Sequence, residues 1–94
     1  MNIYDRFEKH NDEFLKFERV ENKRSSRADL CGFLFLEELF PDIDRDLICC
    51  AEHDQFWLDI DKDKIETLTD DQIIELLRCG ILYDEENESL FCFT

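Results

Sequence analysis

Between Leu30 and Phe40 the chain sets Leu30, Phe33, Leu34, Phe35, Leu36, Leu39 and Phe40 around a single helical segment, and Pro41 follows directly. Proline disfavours helical geometry in the residue before it, so the helix is expected to run from about Arg27 to Phe40. Ser25 or Ser26 is placed to cap it. A helix that is apolar on more than one side has to be covered on more than one side. It is therefore expected to be the central, most buried element.

The chain has 94 residues, enough for one domain and one core. A chain of this size buries roughly two-thirds of the surface that it exposes when unfolded. Nine phenylalanines supply apolar bulk, and only two glycines and one proline interrupt it. Acidic disordered chains are poor in aromatics, so this composition points to ordered elements.

The remaining elements follow from spacing. Ile3, Phe7, His10, Phe14 and Phe17 share one face of a helix expected over residues 2–20, with Asn2 as its N-cap. Leu47–Ala51 and Phe56–Ile60 read as a hairpin around a short polar loop, Glu52–Gln55. Phe56, Leu58 and Ile60 fall on one face of its second strand, and Trp57 and Asp59 on the other. Thr69 to Gln72 fits a capping box that opens a helix over Asp70–Cys79, and Gly80 stands where a left-handed residue closes one. Ile81–Tyr83 and Leu90–Phe93 flank Asp84–Ser89 as a second hairpin. The expected fold is α+β: a small antiparallel sheet of two hairpins packed on two to three helices, in the order α-α-β-β-α-β-β.

Five cysteines, an odd number, read as reduced thiols used chiefly as small core side chains, which suits the cytoplasm. Residues 1–20 carry charges throughout and show no signal-peptide core. No apolar run approaches a membrane span, so no membrane partner is expected.

Charge is the second strong constraint. The net charge is −14. Residues 1–27 carry seven basic and six acidic side chains, whereas residues 28–94 carry four and nineteen. That portion repels nucleic acid and anionic membranes and attracts whatever normally binds phosphate. The cations between Lys16 and Arg27 are expected to pair with the acidic body and with a helix C-terminus rather than with nucleic acid.

Three local patterns invite chemistry. Asp59, Asp61, Asp63 and Asp70 occupy positions 1, 3, 5 and 12 of a window that imitates a calcium loop. Lys64 stands where such a loop needs glycine and Glu66 where it needs an apolar residue, so alternating solvated carboxylates are the plainer reading. Cys49, Cys50 and His53 bring thiols near an imidazole, but adjacent strand residues point to opposite faces and lack the spacing of zinc knuckles. His10 on an apolar stripe and His53 in a turn read as structural and surface residues. No spacing selects a catalytic pair, no glycine-rich loop cradles phosphate, and neither metal nor cofactor is expected.

The segment Ala51-Glu-His-Asp-Gln-Phe-Trp-Leu-Asp-Ile-Asp61, with Asp71-Gln-Ile-Ile-Glu-Leu-Leu-Arg-Cys-Gly80 and Tyr83-Asp84, resembles small uncharacterised acidic proteins of bacteriophages and prophages. The resemblance covers about the C-terminal half and brings no catalytic motif. It implies a class that inhibits host defence or host nucleic-acid enzymes, anti-CRISPR proteins among them.

The resulting expectation is a non-enzymatic inhibitor, monomer or homodimer, in the host cytoplasm. It would offer carboxylates to the basic, nucleic-acid-binding surface of a host protein, with imitation of phosphate spacing as one way of doing so. The residues expected to do so are Asp59, Asp61, Asp63, Asp70, Asp71, Asp84, Glu85, Glu86 and Glu88. An alternative is a structural or adaptor protein binding through Trp57, Phe91 and Phe93. A calcium-binding module is a third.

Overall fold

The computed structural model describes residues 2–93. Helix α1 spans Ile3–Lys9, and two short 3₁₀ turns follow at Asn11–Glu13 and Phe17–Arg19. Helix α2 spans Ala28–Leu39, and strands β1 (Ile48–Glu52) and β2 (Gln55–Leu58) form the first hairpin. A helical turn α3 (Lys62–Ile65) leads to α4 (Asp70–Arg78), and β3 (Ile81–Asp84) and β4 (Ser89–Phe93) close the chain. The four strands form one antiparallel sheet in the order β1-β2-β4-β3. The α+β class and the order of elements are those expected. No helix is long and apolar enough to cross a membrane among the described residues.

Local signals account for the helix ends. The Asn2 side chain accepts from the Asp5 amide at 2.9 Å. Thr69 and Gln72 exchange both bonds of the capping box, at 3.2 and 2.8 Å. Gly80 takes φ +89, and Leu15 packs against it closely enough that a Cβ there would meet Leu15 Cδ2 at 3.0 Å.

Three expectations fail, each for a physical reason. The first helix stops at Lys9 rather than near residue 20. His10, Asn11 and Asp12 are weak helix formers that favour turns, and Leu15 turns to φ +61 to donate its amide to the Leu77 carbonyl at 3.0 Å. Neither Ser25 nor Ser26 caps α2: Arg27 holds that position, and Ser25 Oγ accepts instead from the Arg27 amide.

Nor is α2 the most buried element. It buries Cys31, Gly32, Phe35 and Leu36, while Leu30 is 43% exposed and Phe33 and Leu34 are half-buried. The central helix is α4, whose Ile73, Leu76 and Leu77 are fully buried between α1, α2 and β3. Apolar count alone did not reveal that one flank of α2 opens onto a cleft of about 340 Å³, lined by Phe33, Leu34, Phe40, Ile43 and Leu47. Close packing on the other flank is enforced at Gly32, where a Cβ would meet Ile81 Cδ1 at 2.7 Å.

A candidate binding surface on the open face and edge of the sheet

Alternation in the strands sorts side chains onto two faces. Leu58, Leu90, Cys92, Ile81 and Tyr83 are buried against the helices, where Tyr83 stacks on Phe7 of α1 at 5.9 Å between ring centroids. The other face carries a row across all four strands, because Cys50 pairs with Trp57, Trp57 with Phe91, and Phe91 with Leu82. Trp57 stacks on Phe91 at 6.5 Å and Phe91 meets Phe93 edge-on at 5.4 Å. Phe93 is 49% exposed. Among the described residues the main helix contacts of the sheet are those of α1 and α4 with β3, where Phe7 of α1 stacks on Tyr83 of the inner face.

Strand β1 is one of the two edges of the sheet, and all five of its residues are exposed. A register slip between Ile48 and Cys50 interrupts the alternation there. Both Cys49 and Cys50 therefore line one cleft of about 260 Å³ with Glu52, Trp57, Asn87 and Ser89. His53 turns the hairpin at φ +54. No group of three His, Cys, Asp or Glu side chains capable of holding a metal occurs among the described residues.

The nine carboxylates expected to bind a partner fall into separate groups. Asp59 and Asp61 are gathered by Arg45, at 3.2 and 3.3 Å. Asp63 is exposed on α3, the helical turn that occupies the middle of the calcium-like window. Asp70, the last member of that window, faces away to α1: Arg6 binds it at 2.9 Å, and His10 Nε2 lies 3.9 Å from it. The Arg6 hydrogen bond holds the Asp70 carboxyl below its usual range. Asp71 opens instead on a cleft shared with Glu21, Glu75 and Arg78.

The β3–β4 turn holds the remaining four. Asp84 accepts from Trp57 Nε1 at 2.9 Å, from Asn87 Nδ2, and from the amides of Glu86 and Asn87. Burial raises its pKa, but these hydrogen bonds together pull it below the ordinary carboxylate value. Its role is to orient the indole and close the turn. Glu86 is exposed, while Glu85 and Glu88 line a small cleft with Tyr4, Lys62, Glu66 and Tyr83. Lys62 binds Glu88 at 3.5 Å. Glu8, then burial, then Glu85 and Asp5 raise the pKa of Tyr4.

Three of the five cations of residues 16–27 make contacts within the chain, although only Arg24 among them is half-buried. Arg19 and Arg78 share Glu13, and Arg24 binds Glu38 at 2.6 Å while its guanidinium lies over the Phe35 ring. Lys23 donates to the Val20 carbonyl and sits over Phe17. Sequence spacing does not reveal the Arg45 ion pairs or the Trp57–Asp84 bond. A signal for Arg45 existed, since it is the sole cation between Arg27 and Lys62.

No protein family, no curated protein and no solved structure matches this chain.

Proposed function

We propose that this chain is a non-catalytic binding protein that engages the basic, nucleic-acid-binding surface of a host protein, as a phage-type inhibitor of the anti-CRISPR or a similar anti-defence kind. The observation that carries this reading is the internal use of the cations. Among the described residues every arginine except Arg27 is tied to a carboxylate of the same molecule. The carboxylates outnumber all cations by 25 to 11, so the unpaired charge left at the surface is overwhelmingly negative. Such a surface competes with phosphate for arginine and lysine. The resemblance of the C-terminal half to acidic phage proteins supplies the inhibitor class.

The test is retention of host protein on the immobilised chain after nuclease treatment, across a salt series. Release by moderate salt and competition by duplex DNA are expected, because exposed charge pairs are screened. Reversing Glu85 and Glu86 to lysine should weaken retention. Binding that is unchanged between low and high salt would sink the reading.

The alternative, an adaptor that binds through apolar side chains, draws support from one observation. Trp57, Phe91 and Phe93 lie together on the open sheet face. If that reading holds, replacing Phe91 and Phe93 with serine abolishes retention and the Glu85 and Glu86 reversals do not.

A further inference from the structure

An edge strand presents alternate backbone amides and carbonyls with no partner, and proteins usually blunt such edges with lysine, proline or a covering loop. In β1, Ile48-Cys-Cys-Ala-Glu52, there is no lysine and no proline, all five residues are exposed, and the register slip is confined to Ile48–Cys50, which leaves Cys50 to Glu52 as the regular part of the edge. Its pairing with β2 fixes which groups are free. Glu52 and Gln55 flank the two-residue turn as a bonded pair, so Ala51, which faces Phe56, turns its amide and carbonyl away from the sheet. The far edge, β3, alternates buried and half-buried residues, whereas β1 exposes all five of its own, so β1 is the more open edge.

What surrounds β1 selects the occupant. Pro41 to Asp61 carries seven carboxylates and one cation, Arg45, and Arg45 is already held by Asp59 and Asp61. Glu52 and Asp54 flank the turn end of β1, and Asp44 and Asp46 precede its start. A second copy of the chain would bring the same negative charge to this edge and be repelled. Beside the edge, on the outer face, the cleft of about 260 Å³ has an aromatic wall in Trp57 and a carboxylate at Glu52. An indole face and a carboxylate suit the stem and head of an arginine or lysine.

We propose that β1 is a strand-addition site for an extended, arginine- or lysine-bearing segment of a partner protein, which pairs with the Ala51 edge and sets one cationic side chain in the cleft beside Trp57. Main-chain pairing gives such a site its affinity, and the side-chain cleft gives it selectivity. The inference rests on the basic-partner reading above and names the form in which the basic residues arrive.

Trp57 is the one tryptophan of the chain, so its fluorescence reports the cleft directly. The experiment titrates the full chain with a synthetic peptide of alternating valine and arginine, about eight residues long, a usual strand length. A second peptide of the same sequence is N-methylated at alternate amides. Saturable binding of the first and at least tenfold weaker binding of the second are expected. Glu52→Lys with Asp54→Lys should weaken binding several-fold at unchanged Tm. Equal binding of both peptides, sensitive to salt, would overturn strand addition and leave the charge reading standing. Binding of neither at low salt would overturn both. A free chain that sediments as a dimer, and as a monomer after Ala51→Pro, would assign the edge to a second copy and overturn the proposal.

Discussion

Helix α4 has Ile73, Leu76 and Leu77 fully buried, starts on the Thr69 cap and ends at left-handed Gly80, whereas β1 exposes every residue and touches one neighbouring strand. Helix α4 is held by packing from several sides; β1 is held by one ladder. The contrast separates two jobs within one small fold. The interior between α4, α2 and β3 supplies stability, while the β1 edge presents charge and open backbone, and the outer faces of β2 and β4 carry the aromatic row of Trp57, Phe91 and Phe93.

The two regions differ most in thiol chemistry. Burial pushes Cys79 up to about 12, with Cys31 beside it, and burial also raises Cys92. These three thiols react only when the core opens. With a domain stability of about 5 kcal/mol or more, Cys49 and Cys50 should react at least about a thousandfold faster in a thiol-labelling time course followed by mass spectrometry. Comparable rates at Cys79 and Cys50 would mean that the α2–α4 interface is not closed.

Substitution extends the comparison to energies. Leu76→Ala should lower the unfolding free energy by about 2–5 kcal/mol in denaturant titration, since the side chain is fully buried. Ile48→Ala, at a side chain 41% exposed, should cost less than about 1 kcal/mol. Gly32→Ala falls between them at about 1–3 kcal/mol, because its Cβ would meet Ile81 Cδ1 at 2.7 Å and Cys79 Cβ at 3.0 Å.

The smallest effect is in acid. Hydrogen bonds from Arg78 hold Glu13 low, from Arg24 hold Glu38 low, and from Arg6 hold Asp70 low. Each group has a folded pKa below its unfolded value, so the unfolded chain binds the proton first. The stability that they contribute is present above the ordinary values of 4.5 for glutamate and 3.8 for aspartate. It is lost as pH falls through the lowered ones. Tm should therefore drop as pH falls below that range. Glu13→Gln should shrink the drop while lowering Tm at neutral pH.

Legibility in the sequence divides along the same line. Signals confined to a few residues read correctly: Asn2 and Thr69 as caps, Gly80 as a helix end, and the period of two that puts Trp57 opposite Leu58. With the hairpin registers, that period also brings Phe91 and Phe93 to the same face as Trp57. What depends on distant partners did not read. The stop of α1 at Lys9 is tied to Leu15 reaching Leu77, and the open flank of α2 depends on where residues 41–47 run. Arg45 gathering Asp59 and Asp61 joins segments that sequence spacing does not relate. The carboxylates were visible as charge, but which of them have partners was not.

Residue-by-residue hydrogen exchange tests directly whether β1 receives a basic segment along its open edge. In the free chain the outward amide of Ala51 should exchange rapidly while those of Ile73 to Leu77 exchange only on global opening. Adding the alternating valine–arginine peptide should protect β1 and leave α4 as it was. Protection absent from β1, or spread evenly over the acidic surface, would contradict the claim that the protein receives a basic partner along its open edge.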